Sequence, residues 1–200
     1  MKRILKSARL LFSKHGYAAT TMQNIVTDAE TSIGNLYFYF ANKEDLLKAL
    51  MDEAAQQNWA HADEIAAMVK PGPARVAVVV YTNVTSLTGP IRDLARIALE
   101  GSPAVVQHII DIHAARMRTL INESFPGRSK TELELMAAAV FGANRACVEQ
   151  FVFGKIGARS EQIAEFLVRW HLHAMLVPEK EITNAIRTVS AVLAKLRGRK

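Results

Sequence analysis

The sequence predicts an all-α protein, and three observations carry that prediction. Glycine and proline recur at Gly16, Pro71-Gly72-Pro73, Gly89-Pro90, Gly101-Ser102-Pro103, Pro126-Gly127, Gly154 to Gly157 and Pro178. The segments between them run to about 10–25 residues, helix lengths rather than strand lengths. Several of the prolines stand near segment starts, where a missing N–H is harmless. Only the stretch 76–85 is β-branched enough to suit a strand, and no second candidate exists to pair with it. Its Val76, Val79, Val80, Val84 and Leu87 also fit one helical face.

Ten helices follow, at 2–14, 21–29, 33–39, 43–68, 74–88, 90–99, 103–123, 129–153, 160–176 and 179–197. The first carries an apolar stripe of Ile4, Leu5, Ala8, Leu11 and Phe12, and Gly16 ends it as a C-cap. Thr20 and Thr21 offer N-cap hydroxyls to the second, which holds Ile25, Val26 and Ala29; Ser32 does the same for the third. The fourth begins after Asn42, a good N-cap, with Glu44 and Asp45 in the first turn to complement the helix dipole. At about 26 residues it would span roughly 39 Å, enough to connect a small N-terminal domain to a larger body.

Composition narrows the classes. The chain has 200 residues, half of them apolar, and a net charge of +6. That favours a globular protein with an anionic partner. Residues 1–50 hold seven Lys and Arg against four Asp and Glu, so the first quarter is the more basic part. Lys195, Arg197, Arg199 and Lys200 add a cationic tail, read as a solvated end. No apolar run reaches the roughly 18–20 residues of a membrane span. Met1-Lys2-Arg3 leads straight into an amphipathic pattern with no signal-peptide core. A lone cysteine, Cys147, excludes a disulfide framework and a cysteine-rich zinc site. The expectation is a soluble, cytoplasmic protein that needs no metal and no cofactor.

Two short helices separated by a tight turn and packed on a preceding helix are the parts of a helix-turn-helix. On the third helix, Leu36 and Phe40 face the core, flanked by Ile33 and Tyr39. Gly34, Asn35, Tyr37 and Phe38 spread over the opposite side, which is aromatic and small rather than charged. Such a face suits a DNA major groove: Gly34 permits close approach, Asn35 can pair with adenine, and aromatic rings can meet thymine methyls. Tyr39 and Lys43 lie where phosphate contacts are expected. Thr21, Gln23, Ser32 and Ile33 are further candidates for DNA contact, with capping or plain solvent exposure as the rival role.

The string Ile4-Leu5, Ala8, Leu11-Phe12, Gly16-Tyr17, Thr20-Thr21, Ile25, Ala29, Ser32, Gly34, Leu36-Tyr37, Phe40, Lys43-Glu44, Leu46-Leu47 resembles the DNA-binding domain of the TetR family of transcriptional regulators. The resemblance covers about a quarter of the chain. It implies an N-terminal three-helix DNA-binding domain at 1–47 and a C-terminal helical ligand-binding and dimerisation domain at 48–200. It further implies a homodimer on a palindromic double-stranded operator, a ligand cavity, and a dimer interface built by the last two long helices of the family core. The sequence departs from the family at the turn, where Glu30-Thr31 replaces the usual glycine and valine. A non-glycine residue held at positive φ there would cost about 1 kcal/mol, unless the turn has another shape. The chain also starts almost at helix 1, leaving little of the N-terminal arm used by some members.

In the larger part, a cavity would draw on helices four, five, seven and eight, with Trp59, Tyr81, His113, Met117, Phe141 and Asn144 as candidate ligand contacts. That lining suggests a small, mainly apolar effector. Asn144 is a lone amide among apolar neighbours, so it either meets a ligand or makes a structural hydrogen bond. Ala138, Gly142 and Ala146 form a small-residue stripe, a candidate dimer surface together with Ile163, Phe166, Leu167 and Trp170 of the next helix.

An enzyme is the rival class, and the residues speak against it. His108 and His113 point about 140° apart on a helix, and His171 and His173 diverge as well. Neither pair has the spacing of a helical zinc site. Cys147 lacks a neighbouring histidine, and neither a phosphate loop nor a nucleophile elbow occurs. The reading is a ligand-responsive repressor; the alternative is a DNA-binding regulator that is ligand-independent or controlled by a protein partner.

Overall fold

The computed structural model describes residues 1–197; Arg199 and Lys200 of the cationic tail lie outside them. The chain forms α1 (Lys2–His15), α2 (Met22–Asp28), α3 (Ile33–Tyr39), α4 (Lys43–Ala66), α5 (Pro73–Thr85), α6 (Gly89–Gly101), α7 (Pro103–Ser124), α8 (Lys130–Val152), α9 (Ser160–Ala174) and α10 (Glu179–Arg197). No strand occurs among the described residues. Each predicted helix end lies within one turn of the observed one. The ambiguous valine-rich stretch is helical because Val76 to Val80 are all buried. A helix apolar on every side is stable when surrounded, and packing there outweighs β-propensity. No described helix is long and apolar enough to cross a membrane.

The helices divide into two compact units, Met1–Gln56 with Gly89–Ile110, and Gln57–Thr88 with the residues from Asp111 onward. The boundary expected at 47/48 falls inside α4, and packing carries the first unit on to Gln56.

In the first unit the core gathers Ile4, Ala8 and Phe12 of α1 with Ile25, Leu36, Phe40, Leu46 and Leu47, and it continues into Leu94, Ile97, Ala98 and Val105. The three-helix core is thus completed by α6 and the first turn of α7. Gly101 lies so close to Tyr17 that a Cβ there would sit 2.6 Å from the ring's Cδ1. Ser102 Oγ donates to Glu44 Oε2 at 2.7 Å and accepts from the Val105 N–H at 3.1 Å, capping the start of α7. His108 Nε2 stands 2.7 Å from Asp52 Oδ1.

In the second unit α5 packs against α9 and α10, and α8 packs against α9. Ile121, Leu167, Leu172 and Ile182 are fully buried there. Ser129 caps α8 in a box with Glu132, each side chain taking the other's backbone N–H.

Candidate nucleic-acid interface and effector cluster

Local hydrogen bonding builds α2 and α3. Thr21 Oγ1 accepts from the Asn24 N–H at 3.1 Å, and Asn24 Oδ1 accepts from the Thr21 N–H at 2.9 Å. Ser32 Oγ accepts from the Asn35 N–H at 3.1 Å, and Asn35 Nδ2 donates to Thr31 Oγ1 at 2.7 Å. Thr21 and Ser32 therefore work as caps, and the Asn35 amide is tethered to the turn. Gln23 and Gly34 are exposed.

Leu36 is fully buried and Phe40 nearly so, as the helical periodicity predicts, whereas Ile33, Tyr37 and Tyr39 stand in solvent. Phe38, on the same outer face, is 80% exposed, more than any of them. Its ring meets Tyr39 edge-on at 5.0 Å.

Glu30 occupies the turn at φ 47°, so the backbone keeps the left-handed geometry that favours glycine. Arg3 Nη2 donates to Glu30 Oε2 at 2.9 Å, across a well-exposed ion pair. Such pairs contribute little. Glu30→Gly should raise stability by about 0.5 kcal/mol in urea denaturation, since relief of the left-handed strain exceeds the entropy of an added glycine.

Lys43 is occupied otherwise than the sequence suggests. Its Nζ donates to the carbonyl oxygens of Tyr17 at 2.6 Å, Thr20 at 2.8 Å and Ala18 at 3.2 Å, and it lies 4.4 Å from the centre of the Tyr17 ring. All three ammonium protons are directed at the loop between α1 and α2, where main-chain oxygens lack helical partners. Desolvation lowers the Lys43 pKa, and burial followed by the nearby Glu44 raises that of Tyr17. In the structure the Lys43 ammonium forms a clamp that fixes the approach to α2.

In the second unit, three predicted ligand residues come together. Trp59 is buried, with the His113 ring centre 5.3 Å away and Phe141 6.3 Å beyond His113. The Arg116 guanidinium covers the Trp59 ring at 4.7 Å and is ion-paired with Asp63. Met117 is buried on α7, and Tyr81 is half-buried on α5.

Asn144 makes a structural hydrogen bond. Its Oδ1 accepts from Nε2 of the wholly buried His171 at 2.8 Å. Burial pushes the His171 pKa down to about 4, so the ring is neutral at physiological pH. Burial pushes the Cys147 thiol up. Among the described residues no group of three or more His, Cys, Asp or Glu is placed to hold a metal ion.

Ala138, Gly142 and Ala146 on α8 are exposed, as are Phe166 and Trp170 on α9, the two aromatics at 58% and 43%. Ile163 and Leu167 are buried in the unit's own core and leave the candidate dimer surface. Their neighbours Ala164, Val168 and Leu172 are buried as well, which puts Ile163 and Leu167 on the inward stripe of α9. A Cβ on Gly142 would meet nothing within 4 Å.

Residues 4–50 match the family described as bacterial regulatory proteins, tetR family. Over 60 residues the chain is 42% identical to the HTH-type transcriptional regulator QacR of Staphylococcus aureus. That match takes in 28% of this chain and 32% of QacR. The transcriptional regulator FadR of Bacillus subtilis, solved in complex with stearoyl-CoA, aligns over 85% of this chain and 96% of its own, at 18% identity and a TM-score of 0.65. The SmeT–triclosan complex aligns over 86% of this chain and 90% of its own, at 17% identity and a TM-score of 0.66. At such identities the likeness is one of fold.

Proposed function

Since the chain belongs to the TetR family of bacterial regulatory proteins, we propose that it acts in the cytoplasm as a homodimeric repressor of a palindromic operator, released by a small, mainly apolar effector. The observation that carries the DNA half is the outer face of α3, where Ile33, Tyr37, Phe38 and Tyr39 stand exposed on a helix whose inner side is core. Four large apolar or aromatic side chains on seven residues of surface helix are costly in water and suited to base edges and thymine methyls. Tyr37→Ala is expected to weaken operator binding by about 1–3 kcal/mol, measured by fluorescence anisotropy with folding checked by circular dichroism. Wild-type affinity in that variant would count against α3 as the reading helix.

For the effector half, the Trp59–His113–Phe141 row supports an apolar or aromatic ligand, and the FadR and SmeT structures hold stearoyl-CoA and triclosan. Repression is relieved only if the ligand binds two conformers unequally; a coupling of about 1–3 kcal/mol changes operator affinity roughly 5–150-fold. The test is a thermal-shift screen of small molecules followed by operator titration with each binder. Binders that leave operator affinity unchanged would support the alternative of a ligand-independent or partner-controlled regulator.

The dimer is assigned to the exposed stripe Ala138, Gly142 and Ala146 with Phe166 and Trp170. Because the Gly142 Cα faces open space within one chain, Gly142→Leu should spare the fold and shift sedimentation from dimer to monomer. A dimer unchanged by that substitution would place the interface elsewhere.

A further inference from the structure

Trp59 is 5% exposed, yet its Nε1–H meets no hydrogen-bond acceptor. A buried indole N–H usually finds one, because burial removes the water that would otherwise accept it. Its neighbour Asn58 repeats the pattern: Nδ2 donates to Asn83 Oδ1 at 3.0 Å, while Asn58 Oδ1 is buried without a donor. Two consecutive residues of α4 thus hold a donor and an acceptor out of water, both unmet. The other buried unmet atoms among the described residues, Ser124 Oγ and His171 Nδ1, stand singly.

The indole is otherwise well served. Arg116 covers its ring, and His113 leads on to Phe141. Only the N–H lacks a counterpart, in the cluster to which the effector has been assigned.

We propose that the effector presents a neutral hydrogen-bond acceptor, a carbonyl oxygen in its simplest form, to the Trp59 Nε1–H, with its apolar body against His113 and Phe141. This inference rests on the ligand-responsive reading above and specifies the ligand's chemistry. Arg116 is already ion-paired with Asp63, which favours a neutral acceptor over a carboxylate. A carbonyl gains most where the alternative is an unmet donor, so its absence from a ligand is strongly felt.

Matched probes on the full chain test it. One pair is 2-acetylnaphthalene and 2-isopropenylnaphthalene; the other is 2-undecanone and 2-methyl-1-undecene. Within each pair a C=CH2 replaces the C=O, so shape is kept and the acceptor removed. Calorimetric affinities are measured for wild type and Trp59→Phe. The ketone-to-alkene affinity ratio should fall about tenfold in Trp59→Phe for the pair that fits, the worth of one hydrogen bond. Any cavity left by the smaller ring affects both members alike and cancels in the ratio. If Trp59→Phe fails to fold, 3-benzothienylalanine at position 59 keeps the shape and removes the N–H.

A ratio that stays the same overturns the proposal while leaving a ligand site in place. Binding by none of the four probes also overturns it. In that case the thermal-shift screen decides separately whether the ligand-responsive reading stands.

Discussion

Replacing Lys43 with alanine will lower stability by about 1–3 kcal/mol and weaken operator binding, yet leave the salt dependence of that binding unchanged. Three carbonyl oxygens, those of Tyr17, Ala18 and Thr20, take their hydrogen bonds from this single ammonium. Removing it leaves them unmet in a partly buried loop, and the loop sets the start of α2. The loss of affinity then arises from displaced helices rather than from a missing phosphate contact. A phosphate-contacting lysine behaves differently: its removal takes about one unit off the slope of log affinity against log salt and spares the fold. Lys43→Arg will not restore stability, because a planar guanidinium cannot aim at three oxygens arranged around one nitrogen. Denaturation curves beside operator titrations at several salt concentrations check both parts. Full stability with a reduced slope would return Lys43 to the phosphate role.

The second large effect is on pH dependence. His171 is wholly buried, and burial lowers its pKa from 6.5 to about 4. Between those values the unfolded chain binds a proton that the folded chain excludes. The stability is therefore fully present above pH 6.5 and is lost as pH falls towards 4. The loss approaches about 1.4 kcal/mol per pH unit, some 3 kcal/mol in all. His171→Gln keeps a donor for Asn144 and cannot titrate, so its stability between pH 6.5 and 4 should fall less than that of wild type by about that amount. Chemical denaturation at a series of pH values measures it, and parallel curves for the two proteins would remove His171 as the cause.

The residues that announced themselves in the sequence did so through local rules. Gly16, Pro73 and Pro103 marked helix ends because backbone geometry is settled within a few residues. Leu36 and Phe40 were legible as core, and Tyr37 and Phe38 as surface, because a helix sorts its faces at a fixed angle. Of the two shapes that the sequence leaves open for the turn at Glu30, the backbone adopts the one with positive φ.

What escaped the sequence involves partners brought together only by tertiary packing. Lys43 finds its carbonyl acceptors in residues 17–20, and Asn144 meets His171 across two helices. Ile163 and Leu167 differ from Phe166 and Trp170 only in which neighbour lies opposite, and composition cannot say which. The contribution of α6 and α7 to the first unit's core had no local signal, since an amphipathic helix does not name the surface it covers.

The proposed role of α3 is to read DNA as one half of a dimer. Selection of binding sites from a random DNA pool, followed by affinity measured against salt, checks that role. The expected outcome is a palindromic site with half-sites about one helical turn apart, bound about 10³-fold or more above random DNA with a steep salt slope. A folded dimer that enriches no sequence, or one that binds every duplex alike, would contradict it.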